Sequence, residues 1–208
     1  MTGERGPAAP PPDDRESDVS EIEPYLTMTL RCLIGATFLL AALGKLIGRT
    51  ALRDFTASLR AMQVLPSGSI RPAALLVIAA ETGTCLLLAV PARPAQQAGF
   101  VLAGVLLAAF STVIAATLRR GRRMRCHCFG AARQPLGVAH LARNTGLLLA
   151  CGIGLAGVSA AAAGEMVGLV TAAFAGLVMA VLISALDDIL VLFRPLPAGT
   201  PPSASRQR

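Results

Sequence analysis

Five long runs of apolar residues, each nearly free of charge, decide what this chain can fold into. In order they cover about Leu26 to Ile47, Pro72 to Val90, Ala98 to Leu118, Val138 to Val158, and Met166 to Leu186 or on to Phe193. Each holds roughly 20 residues, the number a helix needs to cross a hydrocarbon layer about 30 Å thick. Hydrocarbon offers no partner for backbone N–H and C=O groups, so segments of this kind span as helices. The expected fold is all-α: a polytopic integral membrane protein, with a four-helix transmembrane bundle and a fifth, C-terminal span. No small-residue cleavage site follows the first run, which therefore reads as a retained helix and not a signal peptide.

Charge supports the same class. Charged residues make up 15% of the chain, where a soluble domain carries roughly a quarter, and they gather between the apolar runs. The net charge of +7 raises the question of nucleic acid, but there is no Trp and one Tyr to offer a stacking platform. Anionic headgroups and the retention of Lys and Arg on the cytoplasmic side explain the basic residues more simply. The bilayer is thus the first partner, in a multi-pass protein of the cell membrane.

Four regions follow. Residues 1–26 are rich in Pro, Asp and Glu and read as a disordered acidic tail. Residues 27–160 hold the bundle, 161–193 the additional span, and 194–208 a Pro- and Ser-rich disordered tail. Inside the bundle region, Leu52, Phe55, Leu59 and Met62 recur at helical spacing opposite Arg53 and Arg60, the pattern of a short helix lying in the interface. With five spans the connections alternate sides, and fifteen of the nineteen Lys and Arg fall on one set. This places the N-terminus outside, and the loop after the third span and the C-terminus inside.

That loop contains the one segment built for chemistry, Arg119 to Gly130, RRGRRMRCHCFG. A thiol acts as nucleophile or ligand in its thiolate form, which positive neighbours favour. Arg122, Arg123, Arg125 and His127 surround Cys126 and Cys128 with such a field. A Cys-x-Cys disulfide closes a very small ring, suited to exchange more than to holding a fold. Metal binding by Cys126, Cys128, His127 and His140 is the rival chemistry, but structural zinc generally uses four ligands from wider pairs such as C-x-x-C, and no metal is assigned.

A second group lies in the spans. Glu81 falls near the middle of the second run, and an ionisable group at that depth is costly and by default functional. Its expected partner is Lys45 or Asn144. Lys45 has the alternative of snorkelling to headgroups. Arg143 and Asn144, in the first turns of the fourth span, complete a polar cluster below the Cys-x-Cys loop, and a structural ion-pair network is as open a reading as a catalytic one. Cys32, Cys85 and Cys151 sit within apolar runs and read as small packing residues.

With these residues in view, the chain resembles the methylamine-utilisation MauE family, which is related to DoxX-like membrane proteins, over roughly residues 28 to 155. The marks are Gly44-Lys45-Leu46 at the end of the first span, Val64 to Pro66, Glu81-Thr82-Gly83, and Arg120-Gly121 followed by Cys126-His127-Cys128-Phe129-Gly130, with Pro135 and Arg143-Asn144 after it. The C-x-C-F-G element in a loop between membrane helices is the most specific of these. The resemblance implies a membrane protein working with a periplasmic thioredoxin-like partner to form or maintain disulfides in extracytoplasmic proteins, with Cys126 and Cys128 as the redox pair and His127, Glu81, Lys45, Arg143 and Asn144 in support. That role looks outward, whereas the Lys and Arg count places the pair inward, so electrons would enter at Cys126 and Cys128 from a cytoplasmic donor and leave on the far side. A DoxX-like oxidoreductase with quinone as cofactor, or a non-catalytic assembly or transport protein, are the alternatives.

Overall fold

The computed structural model describes residues 14–48, 50–62, 66–120, 138–160 and 164–192. They form six helices: α1 (Asp14–Leu46), α2 (Ala51–Met62), α3 (Ile70–Ala89), α4 (Arg93–Arg119), α5 (Val138–Ala160) and α6 (Met166–Leu192). All but α2 contain a segment long and apolar enough to cross a membrane, so this is a multi-pass, all-helical membrane protein.

Sequence explains most of the boundaries. Pro94 opens α4 in its first turn, where a missing N–H costs nothing. Arg119 closes that helix beside its free carbonyls. The Pro91-Ala92 pair separates α3 from α4, with Val90 extended and its N–H still bonded to the Leu86 carbonyl. Gly48, at φ 122°, makes the break after α1 that an L side chain would resist. One boundary differs from the composition reading. Helix α1 begins at Asp14, well inside the stretch read as a disordered tail, and runs through Pro24. The segment of α1 able to span is Ile22–Leu46. Residues 1–13 and 193–208 lie outside the described residues.

Helices α1, α3, α4 and α5 pack around one core, with α1 touching each of the other described α-helices. Helix α6 lies along the outer side of α1, and α2 sits across the end of the bundle against α1 and α3. The interior stripe of each helix is short-chained or aromatic: Leu33, Ile34 and Phe38 from α1, Leu88 from α3, Phe100, Ala103 and Leu107 from α4, Leu147 and Cys151 from α5. Lipid tails are as apolar as leucine, so burial alone does not drive these helices together; close approach and hydrogen bonds do. Glycines mark the close approaches. A Cβ on Gly154 would run into the Phe100 ring, one on Gly99 into Leu88, and one on Gly176 into the α1 backbone at the Thr29 carbonyl.

Polar bonds tie the same contacts at the membrane face opposite the α4–α5 loop. Thr29 Oγ1 donates to the Ala172 carbonyl of α6 at 3.2 Å, and the Tyr25 hydroxyl accepts from the Glu165 N–H at 3.2 Å. Arg31 donates from Nε to the Leu88 carbonyl and from Nη2 to the Ala89 carbonyl at 2.8 Å, closing the last turn of α3. A charged side chain thus satisfies carbonyls that the helix leaves open.

Candidate functional site

Lys45 and Glu81 meet inside the bundle. Lys45 occupies the last turn of α1, on the stripe that carries Ile34, Phe38 and Ala41, and is 1% exposed. Its side chain turns back along its own helix and does not snorkel outward: Nζ donates to the Ala41 carbonyl at 3.1 Å. The same ammonium donates to Glu81 Oε1 at 2.6 Å and Oε2 at 2.9 Å. Glu81, also 1% exposed, belongs to the α3 stripe Ile70, Ala74, Ile78, Glu81, Thr84, Leu88, the face turned to the core. Two ions removed from water at this depth are tolerable because each lies within hydrogen-bond reach of the other.

Phe55 of α2 covers the pair. The Lys45 ammonium lies 5.1 Å from the centroid of its ring, within cation–π range. Phe55 is 1% exposed and shares the buried face of α2 with Ser58 and Met62, while Leu52, from the apolar pattern of that segment, is exposed. The role of Phe55 was not visible in the sequence beyond its place on an amphipathic helix.

Helix α5 brings its own polar residues to the same level. Its interior stripe runs His140, Asn144, Leu147, Cys151, Gly154, Val158. Gly157 abuts Thr27 of α1, and alternate spanning makes the two helices antiparallel. From that contact to Ala41 along α1, and to Asn144 along α5, the distance is about 20 Å in each case at 1.5 Å per residue. Asn144 therefore lies at the depth of the carbonyl that holds Lys45 Nζ. It is 2% exposed, and its Oδ1 has no hydrogen-bond partner among the described residues. A buried amide oxygen left so is costly, and ordinarily finds a donor in water or a bound molecule. His140 lies one turn nearer the loop on the same stripe and is buried; Arg143 is half-buried beside it.

The structure thus joins Lys45 to Glu81 and sets Asn144 level with them, with His140 and Arg143 between that layer and the loop. Cys126, His127 and Cys128 lie outside the described residues; their loop leaves α4 at Arg120 and enters α5 at Val138, the bundle end that holds the polar layer. Among the described residues the cysteines form no disulfide. Cys32 and Cys85 are half-buried and Cys151 is buried in the core. The Cys85 thiol donates to the Gly35 carbonyl at 3.5 Å, a packing contact between α3 and α1.

No protein of curated function and no solved structure matches the chain. A family model described as methylamine utilisation protein MauE matches residues 23–157. The matched region runs from the membrane end of α1 to the last turn of α5, so it contains the four bundle helices, the ion pair and the Cys-x-Cys loop, and leaves out α6. On that match, with the bundle and its buried pair inside it, the chain belongs to the MauE family.

Proposed function

We propose that this protein is the membrane component of a thiol-disulfide relay in which Cys126 and Cys128 exchange electrons with a thioredoxin-like partner. The observation that carries this reading is the match to the MauE family across the stretch that includes RRMRCHCFG. The chemistry of that stretch supports it, since Arg122, Arg123 and Arg125 favour the thiolate and the short ring favours exchange. Exchange needs no outside oxidant. A partner thiolate attacks one sulfur of the Cys126–Cys128 disulfide, the other leaves as thiolate, and the partner's second thiol displaces the mixed disulfide. Two electrons and two protons pass to this chain, and the partner leaves oxidised.

In this reading the Lys45–Glu81 pair ties α1 to α3 at the end of the bundle from which the loop emerges, with Asn144 level with it. The client belongs to the methylamine-utilisation setting that the family description names, or to another extracytoplasmic thiol pathway. Because the Lys and Arg distribution puts the loop inside, electrons enter at Cys126 and Cys128 from a cytoplasmic thioredoxin-like donor and leave to that pathway on the far side.

The experiment is single replacement of each loop cysteine by Ser in cells. Each variant should insert normally, lose disulfide formation in the client, and accumulate a mixed disulfide with a thioredoxin-like protein. Normal client oxidation in the Cys126→Ser/Cys128→Ser double variant would leave an assembly or transport role instead.

A further inference from the structure

Helix α2 has two opposed faces, and the bundle uses one of them. Phe55, Ser58 and Met62 are buried against it. Half a turn away, Arg53, Thr56, Ala57 and Arg60 face a cleft of about 820 Å³ whose other wall is Ser67, Gly68, Ile70 and Arg71 at the start of α3. The arginines come from two helices and converge on one space. They are exposed, and none takes part in an ion pair among the described residues. Asp54 also lines the cleft, which leaves its walls net positive by two charges at neutral pH.

Like charges are not held together around a cleft of this kind without cost, unless a counter-ion fills it. Arginine presents a planar fork matched to phosphate oxygens, and Thr50 and Ser67 add hydroxyls along the same walls. What distinguishes a lipid from a free anion is the surface below. Leu75 lies one turn beyond Arg71 on the same face of α3 and is 59% exposed; Leu76 beside it is 70% exposed. An apolar track thus runs from the basic cleft towards the membrane interior. A headgroup phosphate in the cleft would place its acyl chains along that track.

We propose that the cleft between α2 and the start of α3 binds the phosphate of an anionic membrane lipid, with Arg53 and Arg60 on one side, Arg71 on the other, and the acyl chains against Leu75 and Leu76. This is independent of the relay reading, because it involves neither the loop cysteines nor the Lys45–Glu81 pair. It also gives α2 a reason to lie in the interface: the lipid bridges α2 to the start of α3.

The test uses the full chain purified in detergent, titrated with phosphatidylglycerol, phosphatidylcholine or inorganic phosphate, and read by native mass spectrometry. Phosphatidylglycerol should bind saturably. The Arg53→Gln/Arg71→Gln variant should bind it about thirty-fold more weakly, from roughly fivefold per surface charge near an anionic lipid. The Arg119→Gln/Arg120→Gln variant, which removes equal charge at the end of α4, should bind as the unmodified protein does. Because the four arginines are exposed, thermal unfolding without lipid should be alike in all three proteins. Equal loss in both variants would mean diffuse surface attraction and overturn the site. Equal binding of phosphatidylcholine would overturn the requirement for an anion. Competition by millimolar inorganic phosphate as effective as by lipid would overturn the role of the apolar track.

Discussion

Glu81 accepts two hydrogen bonds from one ammonium, and that ammonium has its third bond to a main-chain carbonyl. The two ions are direct partners, so the two residues should respond to mutation together. Breaking a buried pair by removing one partner leaves an uncompensated charge and costs about 3–5 kcal/mol, whereas replacing both by apolar residues of similar volume is commonly neutral or better. Lys45→Met and Glu81→Gln should therefore each lower stability by that order in thermal or denaturant unfolding, and Lys45→Met/Glu81→Leu should restore it. A single variant as stable as the parent would show that the pair contributes nothing. The restored double variant then separates structure from function: if it is stable but inactive, the charges serve the relay and not the fold. Asn144 tests the same layer from the other side. Its Oδ1, without a partner among the described residues, gives Asn144→Leu no hydrogen bond to lose there, so this variant should fold at least as stably as the parent, and any loss of activity reports a role for the amide.

Between helices, stability follows how closely backbones approach. Gly176 on α6 sits against the main chain of α1, where the Thr29 carbonyl and the Leu33 nitrogen have no freedom to yield. Gly104 and Gly152 have nothing within 4 Å of an added Cβ. Gly176→Ala should therefore cost about 1–3 kcal/mol, the usual range for overpacking, while Gly104→Ala stays at or slightly above the parent. Limited proteolysis in detergent should release α6 first in the Gly176 variant, and equal melting of the two variants would contradict the contact. Much of this level was legible beforehand. The five apolar runs marked spans whose ends fall near those observed, and Glu81 with Lys45 was a natural pair once both were seen as costly at depth. Other features depend on tertiary packing that no local pattern carries. Phe55 became the cover of Lys45, and Leu52 was left exposed, because the orientation of α2 is set by where the bundle ends. The α1 helix extends back to Asp14, because a composition that cannot build a core does not by itself forbid a helix.

For the molecule as a whole, the open axis is direction. The bundle fixes that the α4–α5 loop, the Lys45 end of α1 and the start of α3 share one face, and basic residues concentrate there. Retention of Lys and Arg on the cytoplasmic side then places that face inside. Reporter fusions at the two tails should give an outer N-terminus and an inner C-terminus; tails on one side would contradict five spans. The relay has a stricter requirement, that Cys126 and Cys128 change redox state together. The direct measurement is alkylation of intact cells, first with a membrane-impermeant thiol reagent and then with a permeant one, followed by reduction and a second label. A reversible Cys126–Cys128 disulfide whose fraction shifts when the thioredoxin-like partner is removed is the predicted result, with labelling confined to the permeant reagent. Two thiols that stay reduced under every condition would contradict the relay.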